Sequence, residues 1–527
     1  MSGARTRSVT LQGMRGRMVE IEVDVAPGLP KIVLVGLPDA SVAESRDRCR
    51  AAVVNSGCSW PDRKVTINLS PAGMPKVGVH FDLGIALGVL VAIGVVPAEP
   101  LAEALVLGEL ALDGRLRAVP GVLPATLSGL ESGCTRILVP EANVNEAQVV
   151  AGAEVVGLRS LRHAIAVLTG AEIPDDEPVA PLEPSTPIVW GSAGRLGGLD
   201  LADVAGQHEA RASIIAAAAG GHHVSLDGPP GVGKTMLAQR MPALLPDLDR
   251  RQALDTSAVY SVAGLLPGDA PLLARPPFVD PHHTASAAAI VGGGSRFVRP
   301  GAMSMAHNGI LFLDEAPEFH RNVLNALRQP LESGYVTVSR AAQTAEFPAR
   351  FQLVLASNPC PCGLNAGRAG ECECTSLAKR KYRDKISTPI KDRIDIHRTV
   401  AQPSRAELRE ALVDAPPSAT VAAWVASARE RQARRFSDTP WRLNSSVPAA
   451  VLRRRWSPTS DGETALDTHA RSRGLNLRSV DRVFRLAWTV ADLVGASRPG
   501  ADEIRTAIAL RGSGGMGSQI RHLVQAS

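Results

Sequence analysis

The apolar positions of this chain change period along its length. In "MVEIEVDV" (Met18–Val25) and "KVTINLS" (Lys64–Ser70) they alternate with polar ones, which predicts strands with one buried face. "KIVLVGL" (Lys31–Leu37) is a further strand-like run, and "DASVAESRDRCRAAVVNSG" (Asp39–Gly57) carries helical spacing. Residues 1–170 therefore read as an α/β domain. "AEIPDDEPVAPLEPSTP" (Ala171–Pro187) has no periodicity and is rich in proline and acid, which marks 171–187 as a linker. Strands alternate with helices again over 188–402. From Pro403 onward the helical period dominates, as in "SRAELREALV" (Ser404–Val413) and "SVDRVFRLAWTVADLVG" (Ser479–Gly495), so 403–527 is expected to be a helical domain.

A chain of 527 residues exceeds one ordinary core, in keeping with this division. Its 57 basic and 52 acidic residues give a net charge of +5, a mixed surface that permits nucleic-acid binding without demanding it. Aromatic residues make up 3%, which favours phosphate contacts over rows of stacked bases. The basic opening segment lacks an apolar continuation and does not read as a signal peptide. The longest apolar run, Leu83–Val96, is shorter than the ~20 residues that span a bilayer. A cytoplasmic protein without membrane contact is expected, with Cys49, Cys58 and Cys134 as small buried hydrophobes rather than disulfide partners.

"HHVSLDGPPGVGKTMLAQRM" (His222–Met241) contains a full Walker A match: Gly228, Pro229, Pro230, Gly231, Val232, Gly233, Lys234 and Thr235, set between a short strand and a helix. Loop N–H groups there can cradle the phosphates of ATP, Lys234 can reach the β- and γ-phosphates, and Thr235 can hold Mg²⁺. Downstream, the apolar strand of "GILFLDEAPEF" (Gly309–Phe319) ends in Asp314 and Glu315. Asp314 suits a Mg²⁺ ligand acting through water, and Glu315 a group that polarises the attacking water. A Gly-rich turn and a strand capped by two solvated acids are the plain alternatives, but the two motifs together point to nucleotide hydrolysis.

The order of elements after Glu315 resembles an AAA+ ATPase. "NVLNALRQPLESGYVTVSR" (Asn322–Arg340) predicts a helix and then a hairpin, Tyr335 to Arg350, ahead of the strand "RFQLVLASN" (Arg350–Asn358). Asn358 then stands where such proteins keep the polar residue called sensor 1. Arg393 in "KDRID" resembles an arginine finger presented to a neighbouring subunit, and Arg478 in "GLNLRSVDRVFRLA" resembles sensor 2. A surface salt bridge is the plain reading of each arginine alone.

"RPPFVDPHHTASAAAIVGGGSRFVRPGAMSMAHNGILFLDE" (Arg275–Glu315), "NPCPCG…CEC" and "DRID" resemble the YifB/ComM family of magnesium-chelatase-like AAA+ ATPases over essentially the full chain. One departure is "STPIKDRID", where family members more often carry a small residue, Gly-Pro and two leucines. The resemblance implies an N-terminal Lon-protease-like domain of the ribosomal S5 domain 2-like fold, an AAA+ P-loop core and a C-terminal helical lid similar to the magnesium chelatase C-terminal domain. It also implies an ATP-driven motor, a homo-hexamer, acting on single-stranded or branched DNA. Helicase or branch-migration activity in recombination or DNA uptake would follow. A magnesium-chelatase-like remodeller of proteins is the alternative.

Three further features bear on that expectation. Cys360, Cys362, Cys372 and Cys374 offer four soft ligands on a short loop over 360–374, enough for a closed tetrahedral Zn²⁺ site; four surface thiols are the alternative. The pair His282-His283 invites metal ligation but lacks a nearby third ligand. The family pattern implies instead an insert carrying Arg296 and Arg299 near a central pore, where with Arg340 on the hairpin they would meet DNA phosphates; an inert surface loop is the alternative. In the Lon-like domain His80 or Phe81 stands where a protease keeps its serine, and Leu123 or Pro124 where it keeps its lysine, so peptide hydrolysis has no nucleophile. The basic stretches "RERQARR" (Arg429–Arg435) and "RRRW" (Arg453–Trp456) read as a solvated helical face, or as a contact with a DNA backbone.

Overall fold

The computed structural model of the protein describes residues 4–182, 196–294, 298–339, 344–363, 372–404, 415–473 and 476–512. β1 (Ala4–Gln12) and β2 (Arg15–Ala26) pair antiparallel through the turn at Gly13, and β3 (Lys31–Val35) and β4 (Lys64–Ser70) extend the sheet beyond β2. β5 (Ala104–Val106) lies on the other side of β1, followed by the small hairpin β6 (Glu109–Leu110) and β7 (Leu116–Arg117). β8 (Arg136–Pro140) and β9 (Glu154–Leu158) complete a seven-stranded mixed sheet in the order β3-β4-β2-β1-β5-β8-β9.

The helix expected within Asp39–Gly57 forms. α1 (Ala40–Asn55) is capped by Asp39, whose carboxylate accepts the Val42 N–H at 2.8 Å. The long apolar run becomes α2 (Asp82–Ala92), buried against β1 and β2 from its first turn. Gly84 and Gly88 let it lie close: a Cβ at either would come within 2.8 Å of Ile21 or Val23. α2 is too short to cross a bilayer, and among the described residues no helix is long and apolar enough to do so. His80 and Phe81 precede it, and Leu123 and Pro124 are buried in α3 (Val122–Glu131), so the positions of the protease dyad are filled by core. Ala171–Leu182 has no regular structure but is tied back, since Asp176 accepts hydrogen bonds from Ser160 and Arg162.

The second sheet carries the motifs. α4 (His208–Gly220) leads into β10 (Val224–Asp227), and the Walker A loop then opens α5 (Lys234–Arg240). α6 (Arg250–Ala263), β11 (Phe278–Val279), the short hairpin β12 (Gly292–Gly293) and β13 (Arg299–Pro300), and β14 (Ile310–Leu313) follow. β15 (Tyr335–Ser339) and β16 (Thr344–Pro348) form the expected hairpin; β17 (Gln352–Ser357) and β18 (Ile396–Thr399) finish the sheet. Its five strands are parallel in the order β11-β14-β17-β10-β18. Such a sheet opens a crevice outside the carboxyl ends of its strands.

One expectation needs correcting. The helix expected ahead of the hairpin is two short ones, Arg321–Ala326 and Arg328–Ser333. Pro330 lacks the N–H that would bond to the Ala326 carbonyl, and its ring crowds that carbonyl, so a single helix breaks there. The segment "SRAELREALV" lies almost entirely outside the described residues, as do Arg296 and Arg340.

α7 (Ser418–Arg435), α8 (Leu477–Val494) and α9 (Ala501–Arg511) share one apolar core with α4 and β10, including Phe436, Phe484 and Trp488 beside Ile214, Val224 and Leu226. The helical region is therefore built onto one face of the parallel sheet. On the other side α3 meets α6, with Leu123, Val150 and Ala258 buried between them. Glu146 joins this contact, accepting the Leu123 N–H at 2.9 Å and the Ser261 hydroxyl. Its burial raises its pKa above the ordinary carboxylate value.

Candidate nucleotide site and cysteine cluster

Because β10, β14 and β17 are parallel, the residues that follow them emerge at one edge of the sheet. Gly228 follows β10, Asp314 follows β14 and Asn358 follows β17. Gly228 is held there by its N–H donating to the Ser357 carbonyl at 3.1 Å, and a Cβ on it would meet the Val400 carbonyl oxygen at 2.2 Å. Gly231 and Gly233 have φ of +79° and +93°, values that residues with a Cβ rarely adopt.

Lys234 is nearly buried in this edge. Its Nζ donates to the carbonyls of Gly228 at 2.6 Å and Pro229 at 2.9 Å, and to Asn358 Oδ1 at 3.0 Å. Burial lowers its pKa, while Asp314, Asp227 and Glu315 pull the other way. Thr235 Oγ1 donates to Asp314 Oδ2 at 2.7 Å. A hydroxyl and a carboxylate in contact at the start of a helix fit a hard divalent cation such as Mg²⁺, which Thr235 and Asp314 would hold. Gln207 Nε2 donates to Val232 O at 3.2 Å and to Ala401 O at 2.5 Å, tying the loop to the chain beyond β18. The sequence offered a signal for Gln207 only as a polar residue before the helix upstream of the P-loop.

Glu315 has φ of +50°, in the left-handed region that non-glycine residues rarely occupy. Its carboxylate Oε2 lies 3.3 Å from His283 Nδ1. Sequence reasoning weighed His283 for a metal or for an insert and missed this partner. Among the described residues the histidine pair belongs to no cluster of metal-ligating side chains.

The two arginines form a separate group. β18 starts level with Val224, the first residue of β10, so Arg393 lies at the amino edge, opposite Lys234. Arg393 is mostly buried, ion-paired with Glu332, and donates to the Pro389 carbonyl. Arg478 Nη1 stands 4.0 Å from Asp392, on this same side. Burial lowers the pKa of Arg393, and the neighbouring guanidinium groups of Arg328, Arg478 and Arg482 lower it further.

The four clustered cysteines converge. All their sulfurs lie within 4.8 Å of one another, with Cys360–Cys362, Cys362–Cys372 and Cys360–Cys372 at 3.3, 3.5 and 3.7 Å. Four thiolates about 2.3 Å from a Zn²⁺ ion would stand about 3.8 Å apart, so the donor set fits such an ion. The cluster also touches the P-loop: Gly363 is so close to Pro230 that a Cβ there would approach its ring to 2.7 Å.

Three of the four arginines in the basic stretch at the end of α7 depart from both sequence readings, while Arg434 stays exposed beside Glu430. Arg429 donates to the Ala218 carbonyl at 2.7 and 3.0 Å, and burial pushes its pKa down to about 10. Arg435 pairs with buried Asp492 and lies 4.0 Å over the Trp488 ring, and Arg431 bonds to the Asp492 carbonyl. These arginines fasten α7 to α4 and α8 rather than facing solvent or a ligand. In "RRRW", Arg453 and Arg455 pair with Asp481 and Asp438.

Comparison with known proteins agrees with this architecture. The family model for magnesium chelatase subunit ChlI matches residues 200–408, a second ChlI model matches 21–143, and the ChlI C-terminal model matches 415–511. An uncharacterized protein of Mycobacterium tuberculosis is 46% identical over 98% of this chain and 99% of its own length. The uncharacterized protein YifB of Escherichia coli is 38% identical over 91% of each chain, and competence protein ComM of Haemophilus influenzae 37% over 94% of each. A partial match to Lon protease of Bacillus thuringiensis, 30% identical, covers 24% of this chain and 17% of that protein. With the ChlI-type models across all three parts and relatives aligned nearly end to end, the chain belongs to the YifB/ComM family of magnesium-chelatase-like AAA+ ATPases.

Proposed function

We propose that this protein is a cytoplasmic, ring-forming motor, a hexamer, that hydrolyses ATP to move on DNA. Helicase or branch-migration activity in recombination or DNA uptake is the activity we assign to it. The observation that carries the reading is the convergence of Lys234, Thr235, Asp314 and Asn358 at one sheet edge while Arg393 and Arg478 stand at the other. A site divided in this way is completed by a second copy of the chain. Lys234 and the loop N–H groups would hold the phosphates, with Asn358 fixing the lysine. Thr235, and Asp314 through water, would hold Mg²⁺, which would supply charge neutralisation to the phosphates. Glu315 would take the proton of the attacking water. The neighbour's Arg393, joined by its Arg478, would stabilise the charge that develops on the γ-phosphate. To reach that phosphate Arg393 would exchange its ion pair with Glu332.

The cysteine cluster would hold one structural Zn²⁺ and fix the loop against Pro230. The linker 171–187 would join the Lon-like domain of 1–170 to the AAA+ core of 188–402, with 403–527 as the lid. DNA would contact the inserts, where Arg299 on β13 is exposed. A relative named competence protein supports a place in DNA uptake. The test is the ATPase rate with and without single-stranded, forked and four-way DNA at low salt. Stimulation that fades between about 50 and 200 mM salt supports the DNA reading. Turnover indifferent to every DNA turns the assignment to a remodeller of proteins, the reading favoured by the ChlI match over the core.

A further inference from the structure

Glu315 sits on an uncommon backbone. Its φ of +50° is strained for a non-glycine residue, a conformation kept only where surrounding structure enforces it. Its side chain is 48% exposed, so packing alone does not fix where the carboxylate points. What meets it is His283, which the sequence brings from 32 positions upstream. β11 pairs with β14 in the register Val279↔Leu311, so the loop after β11 runs out beside Asp314 and Glu315. There His283 Nδ1 approaches Glu315 Oε2 at 3.3 Å.

Unlike the glutamate, the imidazole is backed on two sides. The His282 ring lies against it with centroids 4.2 Å apart, and Phe319, buried in the core, meets it edge-on at 6.5 Å. His282 is itself held by Thr284, whose Oγ1 is 2.7 Å from its Nδ1.

From this geometry we infer that His283 is the positioning residue of hydrolysis: it fixes the Glu315 carboxylate by donating from Nδ1. The inference rests on the role proposed above for Glu315. In the reaction, water oxygen bonds to the γ-phosphorus, the bond to the bridging oxygen breaks, and ADP leaves with that electron pair. The water's proton passes to the carboxylate. A base that turns freely is in line for only part of the time, whereas one anchored through one oxygen presents the other. The logic is that of a base oriented by a third group. Charged groups facing the pair are Asp314, adjacent in the chain, and Lys234, close enough for its charge to feel Glu315.

Steady-state ATPase kinetics on the full chain test this with His283→Ala, His283→Asn and Glu315→Gln. Asparagine keeps an N–H donor near the place of Nδ1, and alanine does not. The expected result for His283→Ala is a kcat reduced roughly tenfold with KM within about twofold, because the histidine acts on the base and not on nucleotide. His283→Asn recovers most of the loss. In the Glu315→Gln background His283→Ala has no further effect. A parental or raised kcat in His283→Ala, a changed KM with kcat intact, or an asparagine variant no better than alanine each overturns the inference. Retained binding of a fluorescent ATP analogue separates a misplaced base from a misfolded site. If Glu315→Gln itself turns over at the parental rate, the role of Glu315 fails first, and that outcome is distinct from failure of His283 alone.

Discussion

The Lys234 ammonium donates to the side-chain oxygen of Asn358 at 3.0 Å, across 124 positions of sequence, linking the P-loop to the tip of the neighbouring strand. A bound γ-phosphate would compete with that oxygen for the same lysine. Lys234→Ala should therefore abolish nucleotide binding, since the lysine meets phosphate in ground and transition states alike. Asn358→Ala should leave binding nearly intact and lower kcat. Titration with a fluorescent nucleotide, followed by turnover measurements, separates the two. Equal loss of binding in both variants contradicts the assignment.

About one Zn²⁺ per chain should accompany protein prepared without chelator, held by Cys360, Cys362, Cys372 and Cys374. Replacing Cys362 and Cys372 by serine should release it and lower ATPase activity severalfold, through the contact of Gly363 with Pro230. The Lon-like domain should melt unchanged, having its own core. Elemental analysis decides the matter: protein free of zinc and of any other thiophilic metal removes the site.

Arg393 stands at the sheet edge opposite Lys234, so under the proposed function its part in hydrolysis would belong to a neighbour's nucleotide. Activity should rise steeply with protein concentration until rings form. Mixing Arg393→Ala with Lys234→Ala chains, each inactive alone, should restore some turnover wherever an intact P-loop meets an intact arginine. Co-assembled rings that stay inactive would argue against action across the boundary. Arg478→Ala is expected to behave as Arg393→Ala in the same mixture.

Acid should loosen the core before it protonates most carboxylates. His307 Nδ1 accepts the Arg350 N–H at 3.1 Å, and burial lowers its pKa to about 4. The unfolded chain takes up that proton below pH ~6.5, whereas the folded chain declines it until about 4. This contribution is complete above pH ~6.5 and falls by about 2 kcal/mol on reaching pH 5. Glutamine keeps an acceptor without the titration, so the urea midpoint of His307→Gln should fall less between pH 7.5 and 5 than that of the parent. Parallel profiles would show that His307 titrates alike in both states.

What the sequence made legible was contiguous. The Walker A loop and the Asp314-Glu315 pair are short strings whose strand and helix neighbours are also local, so their shared sheet edge follows from parallel pairing. Long-range relations were hidden. Nothing near Arg429 announces that its guanidinium bonds to the Ala218 carbonyl, since a helix of mixed charge looks the same whether its arginines meet water or a neighbouring helix end. His283 and Glu315 meet only because β11 pairs with β14. Arg478 approaches Asp392 because the first turns of α8 meet the segment that leads into β18, where Arg482 pairs with Asp395, a relation that periodicity does not encode. The break at Leu327 was available in principle from Pro330, three residues on.

Strand displacement from a forked duplex, in ATP at low salt, tests the central claim most directly: hydrolysis at this site drives movement on DNA. The assembled parent protein should release the strand. Glu315→Gln should bind the same fork and release nothing, because only the step that acts on water is lost. Release by Glu315→Gln at the parental rate, or binding and hydrolysis by the parent with no release from any forked or four-way DNA, would contradict that claim.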